Sequence, residues 1–478
     1  MKILKSVFDD NYHDSKKLVD NWQKGILLLP ITNNLGTSKY DIHSSAQSTV
    51  GQFIRLLLNE DTNTVESFEQ SVMPKVQEFL QSEGISQTNI DHFLSVVKDL
   101  FFINGTFAVP DMSFFKYIPL VPDPENKDLK TRKKYRDGQI RVAAYLYSML
   151  DQNPFKNSNS QDLNLVLDIF AKVLSENNTA VAIDNSTRKY TIPSYIKKSF
   201  SEDFKWFLQL NEQARIKYFH LFLHFYLCYG ITQTILLLSA EKIDVNVMNE
   251  PEKLYFILDS EKISMNHDAI LYGWANRIQN RKLLDRLFGK IQALDIANCL
   301  LGGDVGFYPQ VLARLSETPF EDNREALSEI LECYKTEKTE LLNNRQTEGG
   351  NRQINNFDPN VVSYVDFLRK LERCCVELQS KDYVRLRKKI LDIMRITFLT
   401  QRGGPFVLKL DKDMLSFLIA LVTKGERTKL EDMYKSFTQY GICFNRDTKF
   451  SIEEYLLNMN LLDRKSDSGE VQYVKAVL

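Results

Sequence analysis

The stretch that decides the fold is the C-terminal end, residues 411–478: DKDMLSFLIALVTKGERTKLEDMYKSFTQYGICFNRDTKFSIEEYLLNMNLLDRKSDSGEVQYVKAVL. Apolar side chains recur at helical spacing over residues 414–422, and Gly425 can end this helix in a left-handed conformation. The segments 428–431 (TKLE) and 451–454 (SIEE) have the pattern of capping boxes, which predict the starts of a second and a third helix. The segment is therefore expected to contain three short helices.

Two strand-like runs, residues 461–465 and 471–477, follow the helices. A turn-rich loop between them predicts a β-hairpin in the position of a wing. Three helices followed by a hairpin predict a winged-helix module at residues 411–478, preceded by a short strand at 406–410. The residues of the predicted wing loop are Lys465, Ser466, Asp467, Ser468 and Gly469.

The charge of this module bears on its partner. Residues 411–478 contain ten Lys or Arg and eleven Asp or Glu, so the module has no excess of cations for phosphate groups. Glu453 and Glu454 are expected in the first turn of the third helix, where they would repel a DNA backbone. We expect protein docking or an architectural role ahead of base readout, and DNA binding remains the alternative.

The whole chain is predicted to be mainly α with minor β, a multi-domain helical body that ends in this module. With 478 residues, 43% of them apolar, it is long enough for several packed cores. A polar, Gly- and Asn-rich stretch is the best candidate for a linker. The predicted segments are an N-terminal mixed α/β region (1–150), a helical body (151–345), the linker (346–360) and a C-terminal helical region (361–478).

Some local patterns give specific expectations. Residues 25–30 (GILLLP) predict a strand, and the apolar stripe in 163–174 predicts a helix. Residues 218–240 lack Asp, Glu, Lys and Arg, yet they continue a pattern that is helical from Phe204. We therefore expect a buried helix that ends at Gly230 and a second apolar element after it, rather than a membrane span. The polar N-terminus has no signal-peptide pattern, which predicts a cytoplasmic protein without membrane contact.

Basic residues are concentrated in three clusters. Residues 127–141 contain seven basic and two acidic residues, a local charge of plus five, whereas the whole chain has a charge of −1. Residues 369–402 and 277–286 are also rich in Lys and Arg. Each cluster is a candidate for contact with nucleic acid or an acidic protein, although most charge runs are only solvated faces. The candidates are Lys127, Lys130, Arg132, Lys133, Lys134, Arg136 and Arg141, then Arg385, Arg387, Lys388 and Lys389, then Arg277, Arg281, Lys282 and Arg286.

The sequence contains no nuclease, ATPase or hydrolase motif that we can identify, so we expect a non-catalytic protein without a cofactor. The glycines of residues 302–307 (GGDVGF) lack the Lys and Ser or Thr of a phosphate-binding loop. His220, His224 and Cys228 share a helical face, but their aromatic surroundings favour core residues over metal ligands. The acidic stretch 259–262 lacks a nuclease Glu-x-Lys spacing, and the six cysteines form no CxxC pair.

Two segments carry a family resemblance: residues 254–274 (LYFILDSEKISMNHDAILYGW) and residues 460–478 (NLLDRKSDSGEVQYVKAVL). Both resemble the DptG family of DNA phosphorothioation-dependent restriction proteins. The resemblance implies a subunit of a bacterial antiviral defence complex that restricts DNA lacking the phosphorothioate mark. Such a subunit works with DptF-like and DptH-like subunits and is an adaptor that recruits these partners or holds DNA. It implies no catalytic residue here and no oligomeric state. The alternative is a winged-helix transcription regulator with a helical sensor body.

Overall fold

A computed structural model describes residues 2–12, 25–31, 42–58, 68–103, 106–107, 112, 115, 129–151, 189–239, 249–263, 266–344, 354–379, 383–401, 404–464 and 472–477. Over these residues the protein is mainly helical with small sheets, which confirms the predicted fold class of mainly α with minor β. The chain forms two compact units: unit 1 comprises residues 1–29, 189–196 and 228–477, and unit 2 comprises residues 30–188, 197–227 and 478. The four predicted segments remain a prediction, because residues 152–188 and 345–353, which adjoin their boundaries, lie outside the described residues.

Unit 2 is built around aromatic side chains. Phe53, Phe204 and Phe219 contact one another with ring centroids 5.8 to 6.2 Å apart, and all three are fully buried. Buried aromatic rings of this kind contribute large apolar areas to a core. The elements that begin in this part of the chain are α2 (Ile42–Leu58), α3 (Phe68–Ser82), α4 (Gln87–Phe101), β1 (Phe102–Ile103), β2 (Thr106–Phe107), α5 (Leu129–Tyr147) and α7 (Glu212–Ser239).

Unit 1 is a helical body that holds most of the strands. Helix α9 (Leu283–Leu300) packs closely along α12 (Tyr364–Glu377), and Gly289 allows this approach because a Cβ there would lie 2.6 Å from the Cα of Val376. The helices that precede the C-terminal part are α1 (Lys2–Tyr12), α6 (Ser194–Gln209, which continues into unit 2), α8 (His267–Leu271), a π-helix (Ala275–Asn280), α9 (Leu283–Leu300), α10 (Tyr308–Leu315), α11 (Phe320–Asn344), α12 (Tyr364–Glu377) and α13 (Tyr383–Thr397).

A four-stranded sheet joins this helical body to the C-terminal part of unit 1. Its strands are β3 (Leu254–Leu258), β4 (Leu399–Thr400), β5 (Val407–Leu410) and β7 (Ile442–Cys443), in the order β4-β5-β3-β7. Strand β3 pairs in parallel with both β5 and β7. A strand from the middle of the chain therefore lies between two strands of its C-terminal end, and the C-terminal elements do not form an independent domain.

The C-terminal end contains three helices and a second sheet. The helices are α14 (Lys412–Thr423), α15 (Leu430–Gln439) and α16 (Arg446–Asn458), and the strands are β6 (Thr428–Lys429), β8 (Leu462–Arg464) and β9 (Gln472–Val474). Both β6 and β8 pair antiparallel with β9, so the order is β6-β9-β8. The predicted helices and both predicted strands are present.

The two predicted helix starts are wrong. Thr428 does not cap α15; it belongs to β6 and pairs with Val474, so sheet pairing overrides the local capping pattern. Helix α16 begins at Arg446 rather than at residue 451, because the side chain of Asn445 accepts a hydrogen bond of 2.8 Å from the amide of Thr448. An Asn at the N-cap satisfies an amide that would otherwise lack a partner.

Two expectations about apolar segments are also wrong. Helix α7 does not end at Gly230 but continues to Ser239. Ile231 and Ile235 are fully buried, and their burial outweighs the cost of about 1 kcal/mol for a glycine inside a helix. By length and composition α7 could cross a membrane, but 94% of its apolar window is buried inside the protein. Residues 25–30 form no strand, and the helix predicted at 163–174 lies outside the described residues.

Candidate partner and nucleic-acid interfaces

The first basic cluster lies on α5, with Arg141 half-buried on the same helix. Lys127 lies outside the described residues. The members on the amino-terminal part of α5 are Lys130, Arg132, Lys133, Lys134 and Arg136.

The second and third basic clusters meet in unit 1. The guanidinium of Arg387 on α13 pairs with the carboxylate of Asp285 on α9, and the side chain of Gln379 donates to the carbonyl of Asp285. Lys388 is exposed and Lys389 is half-buried, while Arg385 lies on the same helix. The structure thus brings together two clusters that are about a hundred residues apart in the sequence.

The predicted wing loop, Lys465 to Gly469, lies outside the described residues, but the base of its hairpin is described. The guanidinium of Arg427 lies over the ring of Tyr473 on β9, 4.1 Å from its centroid. Asp463 on β8 pairs with Arg427 at 3.6 Å and with Lys475 at 3.2 Å. These exposed contacts tie β8 and β9 to the segment before α15, although exposed ion pairs each contribute little stability.

The start of α16 is fixed to the loop after β3 by a network of polar side chains. The carboxylate of Glu261 accepts hydrogen bonds of 2.9 Å from the hydroxyl of Thr448 and from the side-chain amide of Asn266. The side-chain oxygen Oδ1 of Asn266 in turn accepts a hydrogen bond of 2.9 Å from the side-chain amide of Asn445. Thr448 is fully buried. Glu261 therefore positions a helix.

Asp259, in the same acidic stretch 259–262, also has a partner. The carboxylate of Asp259 pairs with the ammonium of Lys409 on β5 at 2.9 Å. The amides of the GGDVGF loop are engaged as well, because the side-chain oxygen of Asn298 accepts bonds of 2.8 Å from Val305 and Gly306. Neither segment offers the chemistry of a nuclease or of a phosphate-binding loop in this conformation.

The outward face of α16 combines apolar and acidic side chains. Phe450 is 61% exposed and Leu457 is 40% exposed, and Glu454 lies between them on the exposed side. Positions i, i+4 and i+7 form one stripe on a helix. Exposed apolar side chains at this spacing suit a partner helix or groove better than a phosphate backbone.

The expectation that Glu453 and Glu454 lie in the first turn of the third helix is wrong. They lie in the middle of the helix, whereas its first turn contains Arg446, Asp447 and Lys449. Neither Phe450 nor Leu457 was among the candidate residues predicted from the sequence. Once the start at Asn445 is known, the seven-residue spacing of these two apolar residues indicates the stripe.

Within the part of the chain that is described, no group of three or more His, Cys, Asp or Glu side chains could hold a metal ion. Cys228 lies on α7, where burial raises the pKa of its thiol. His224 on the same helix is buried, with 3% of its surface exposed. These residues lie in packed surroundings, as expected for core side chains.

Comparisons with known proteins do not identify the chain. The sequence matches no protein-family model, and no curated protein matches it.

Proposed function

We propose that the chain is a non-catalytic subunit of a bacterial complex that restricts DNA lacking the phosphorothioate mark. In this role it bridges DptF-like and DptH-like partner subunits in the cytoplasm. The resemblance of residues 254–274 and 460–478 to the DptG family supports the complex. The observation that carries the bridging role is the apolar stripe of Phe450 and Leu457 on a helix that is anchored to the body.

We further propose that residues 411–478 are a winged-helix module. The order of three helices, with β6 placed before α15 and paired to the last strand, supports this assignment. The hairpin of β8 and β9 occupies the position of a wing. In a winged helix the third helix is the usual recognition element, and here that helix is α16.

The composition of the exposed face of α16 favours a protein partner. An apolar side chain as exposed as Phe450 gains free energy when a partner covers it, at about 25 cal/mol per Å² of apolar surface. Aromatic side chains are frequent among the residues that dominate the energy of protein interfaces. Glu454 beside it disfavours phosphate and suits a basic partner residue.

The resulting experiment compares two truncations of exposed apolar side chains in the full chain. Phe450→Ala should weaken the capture of the partner subunits by thirtyfold or so, equivalent to about 2 kcal/mol. Val362→Ala is the matched control, because Val362 is 73% exposed and lies elsewhere in unit 1. Equal capture by both variants would refute docking through α16, and recovery of the tagged chain without restriction subunits would refute the complex.

A transcription regulator is the second candidate, and one observation favours it. The first turn of α16 contains Arg446 and Lys449, which a recognition helix could place near DNA phosphates. Recovery of the chain as a dimer on promoter DNA, with binding abolished by Arg446→Gln and Lys449→Gln, would establish this function instead of the restriction subunit.

A further inference from the structure

The junction between the π-helix and α9 carries a dense set of exposed cations. Arg281 follows the π-helix, Lys282 occupies the N-cap position of α9, and Arg286 lies in the first turns of that helix. All three residues are exposed. The junction is thus a basic edge of unit 1.

Helix α13 extends this edge. The ion pair between Arg387 and Asp285 holds α13 against the start of α9, and Lys388 follows Arg387 in an exposed position. This edge therefore comprises five cations, Arg281, Lys282, Arg286, Arg387 and Lys388, together with the carboxylate of Asp285, which pairs with Arg387. This basic edge has a net charge of plus four, although the chain as a whole has a charge of −1.

The positions of Lys282 and Arg286 do not stabilise the fold. Lys282 and Arg286 lie at the amino end of α9, where the helix dipole makes a cation unfavourable by roughly 0.3–1 kcal/mol. Lys282 also adopts a left-handed conformation, with φ of 53°, which is costly for a residue with a Cβ. Among the described residues, neither Lys282, Arg286 nor Lys388 has an ion-pair partner. A bound polyanion would supply the missing negative charge.

A π-helix directly precedes the basic edge, which is a second and independent feature. Such helices are rare and are often found at functional sites. The side chain of Gln279 in the π-helix accepts a bond of 3.1 Å from the amide of Phe406, so the π-helix is fixed to the segment before β5. Arg281 and Lys282 follow directly after this helix.

We propose that this basic edge binds the phosphate backbone of duplex DNA. Phosphate contacts in protein–DNA complexes come largely from Arg and Lys, and the guanidinium group can donate two parallel bonds to one phosphate. The centres of protein–protein interfaces are instead depleted in charged residues, which disfavours a protein partner here. The proposal does not depend on the restriction complex, because the isolated chain can be tested.

The test measures binding of the full chain to a short DNA duplex as a function of salt. The variant Lys282→Asn, Arg286→Gln, Lys388→Gln removes three cations, and Asn tolerates the left-handed conformation at position 282. It leaves the anchoring pair of Arg387 and Asp285 intact. We expect at least tenfold weaker binding at about 0.15 M salt, and a log–log salt slope that is smaller by roughly 2.7.

The matched control removes three exposed lysines from the C-terminal elements: Lys412→Gln, Lys429→Gln and Lys435→Gln. It makes the same change in net charge and should bind as the unmodified chain does. Circular dichroism checks the fold of each variant, and the pair Arg286→Gln, Lys388→Gln replaces the triple variant if the change at Lys282 disturbs α9.

Three results would overturn the proposal. The first is that the unmodified chain is not retained by duplex DNA at low salt. The second is that the control loses binding while the basic-edge variant does not. The third is that the basic-edge variant binds DNA normally, and loss of its binding to polyglutamate would then identify an acidic polypeptide as the ligand. Loss of DNA binding with normal capture of partner subunits would support this proposal and leave the proposed function standing.

Discussion

The network that holds α16 against the loop after β3 allows a quantitative prediction. Thr448→Val keeps the shape of the side chain but removes the hydroxyl that donates to Glu261 at 2.9 Å. A hydrogen bond to a charged group contributes roughly 1.5–3 kcal/mol, and Thr448 is fully buried, so water cannot replace the lost donor. The anchoring of α16 should weaken by that amount.

Hydrogen exchange followed by mass spectrometry is the suitable assay, because a chain with two compact units need not unfold in one step. We expect the amides of α16 to exchange about ten- to a hundredfold faster in Thr448→Val, since 1.36 kcal/mol corresponds to a factor of about ten. Helix α2 in unit 2 is the internal control and should keep its rate.

A double-mutant cycle with Glu261→Gln tests whether the effect comes from this bond. The two substitutions should be non-additive by roughly 1 kcal/mol or more, because they remove the same interaction. Additive effects, or unchanged exchange in α16, would show that the hydroxyl and the carboxylate do not cooperate and would refute the anchoring argument.

Three further predictions concern packing, a buried carboxylate and a thiol. Gly289→Ala should destabilise unit 1 by roughly 1–3 kcal/mol, measured as faster hydrogen exchange in α9 and α12, because its Cβ would overlap the backbone of α12. Gly404→Ala should be neutral, since nothing lies within 4 Å of its Cβ. Asp295→Ala should destabilise the docking of residues 25–31, because the carboxylate of Asp295 accepts hydrogen bonds of 2.6 Å from the amide of Gly25 and 3.0 Å from the amide of Ile26. Proteolysis of this segment should therefore be faster in the variant. Unchanged cleavage would contradict the role of Asp295. Burial and a hydrogen bond to Glu337 raise the pKa of the Cys333 thiol to about 11, so its alkylation by iodoacetamide should accelerate as the pH rises to that value. Glu337→Gln should lower this pKa and speed the alkylation at pH 8. An equal alkylation rate in the two proteins would contradict the role of Glu337.

Sequence patterns predicted the C-terminal elements well because each of them has a strong local cause. The apolar spacing of α14 and the strand-like runs of β8 and β9 are properties of neighbouring residues, and these three elements are present. The predicted helix starts failed where distant residues decide. Thr428 lies in a sheet because it pairs with Val474. Asn445 caps α16, and its side-chain amide donates a hydrogen bond to the side chain of Asn266.

The surfaces were harder to predict than the elements. Residues 277–286 and 385–389 were recognisable as basic, but only the ion pair of Asp285 with Arg387 makes them one surface. No local pattern encodes a contact across about a hundred residues. The stripe of Phe450 and Leu457 was hidden for a related reason, since a helix that started at residue 451 would not include Phe450.

The two proposed surfaces should respond to salt in opposite ways. Apolar docking through Phe450 is not screened by ions, and high salt strengthens it slightly if at all. Binding of phosphate by Lys282, Arg286 and Lys388 releases counterions and therefore weakens steeply as salt rises. A complex that contains both DNA and partner subunits should then lose its DNA first when salt is increased. Release of the partners before the DNA would mean that the roles of the two surfaces are exchanged.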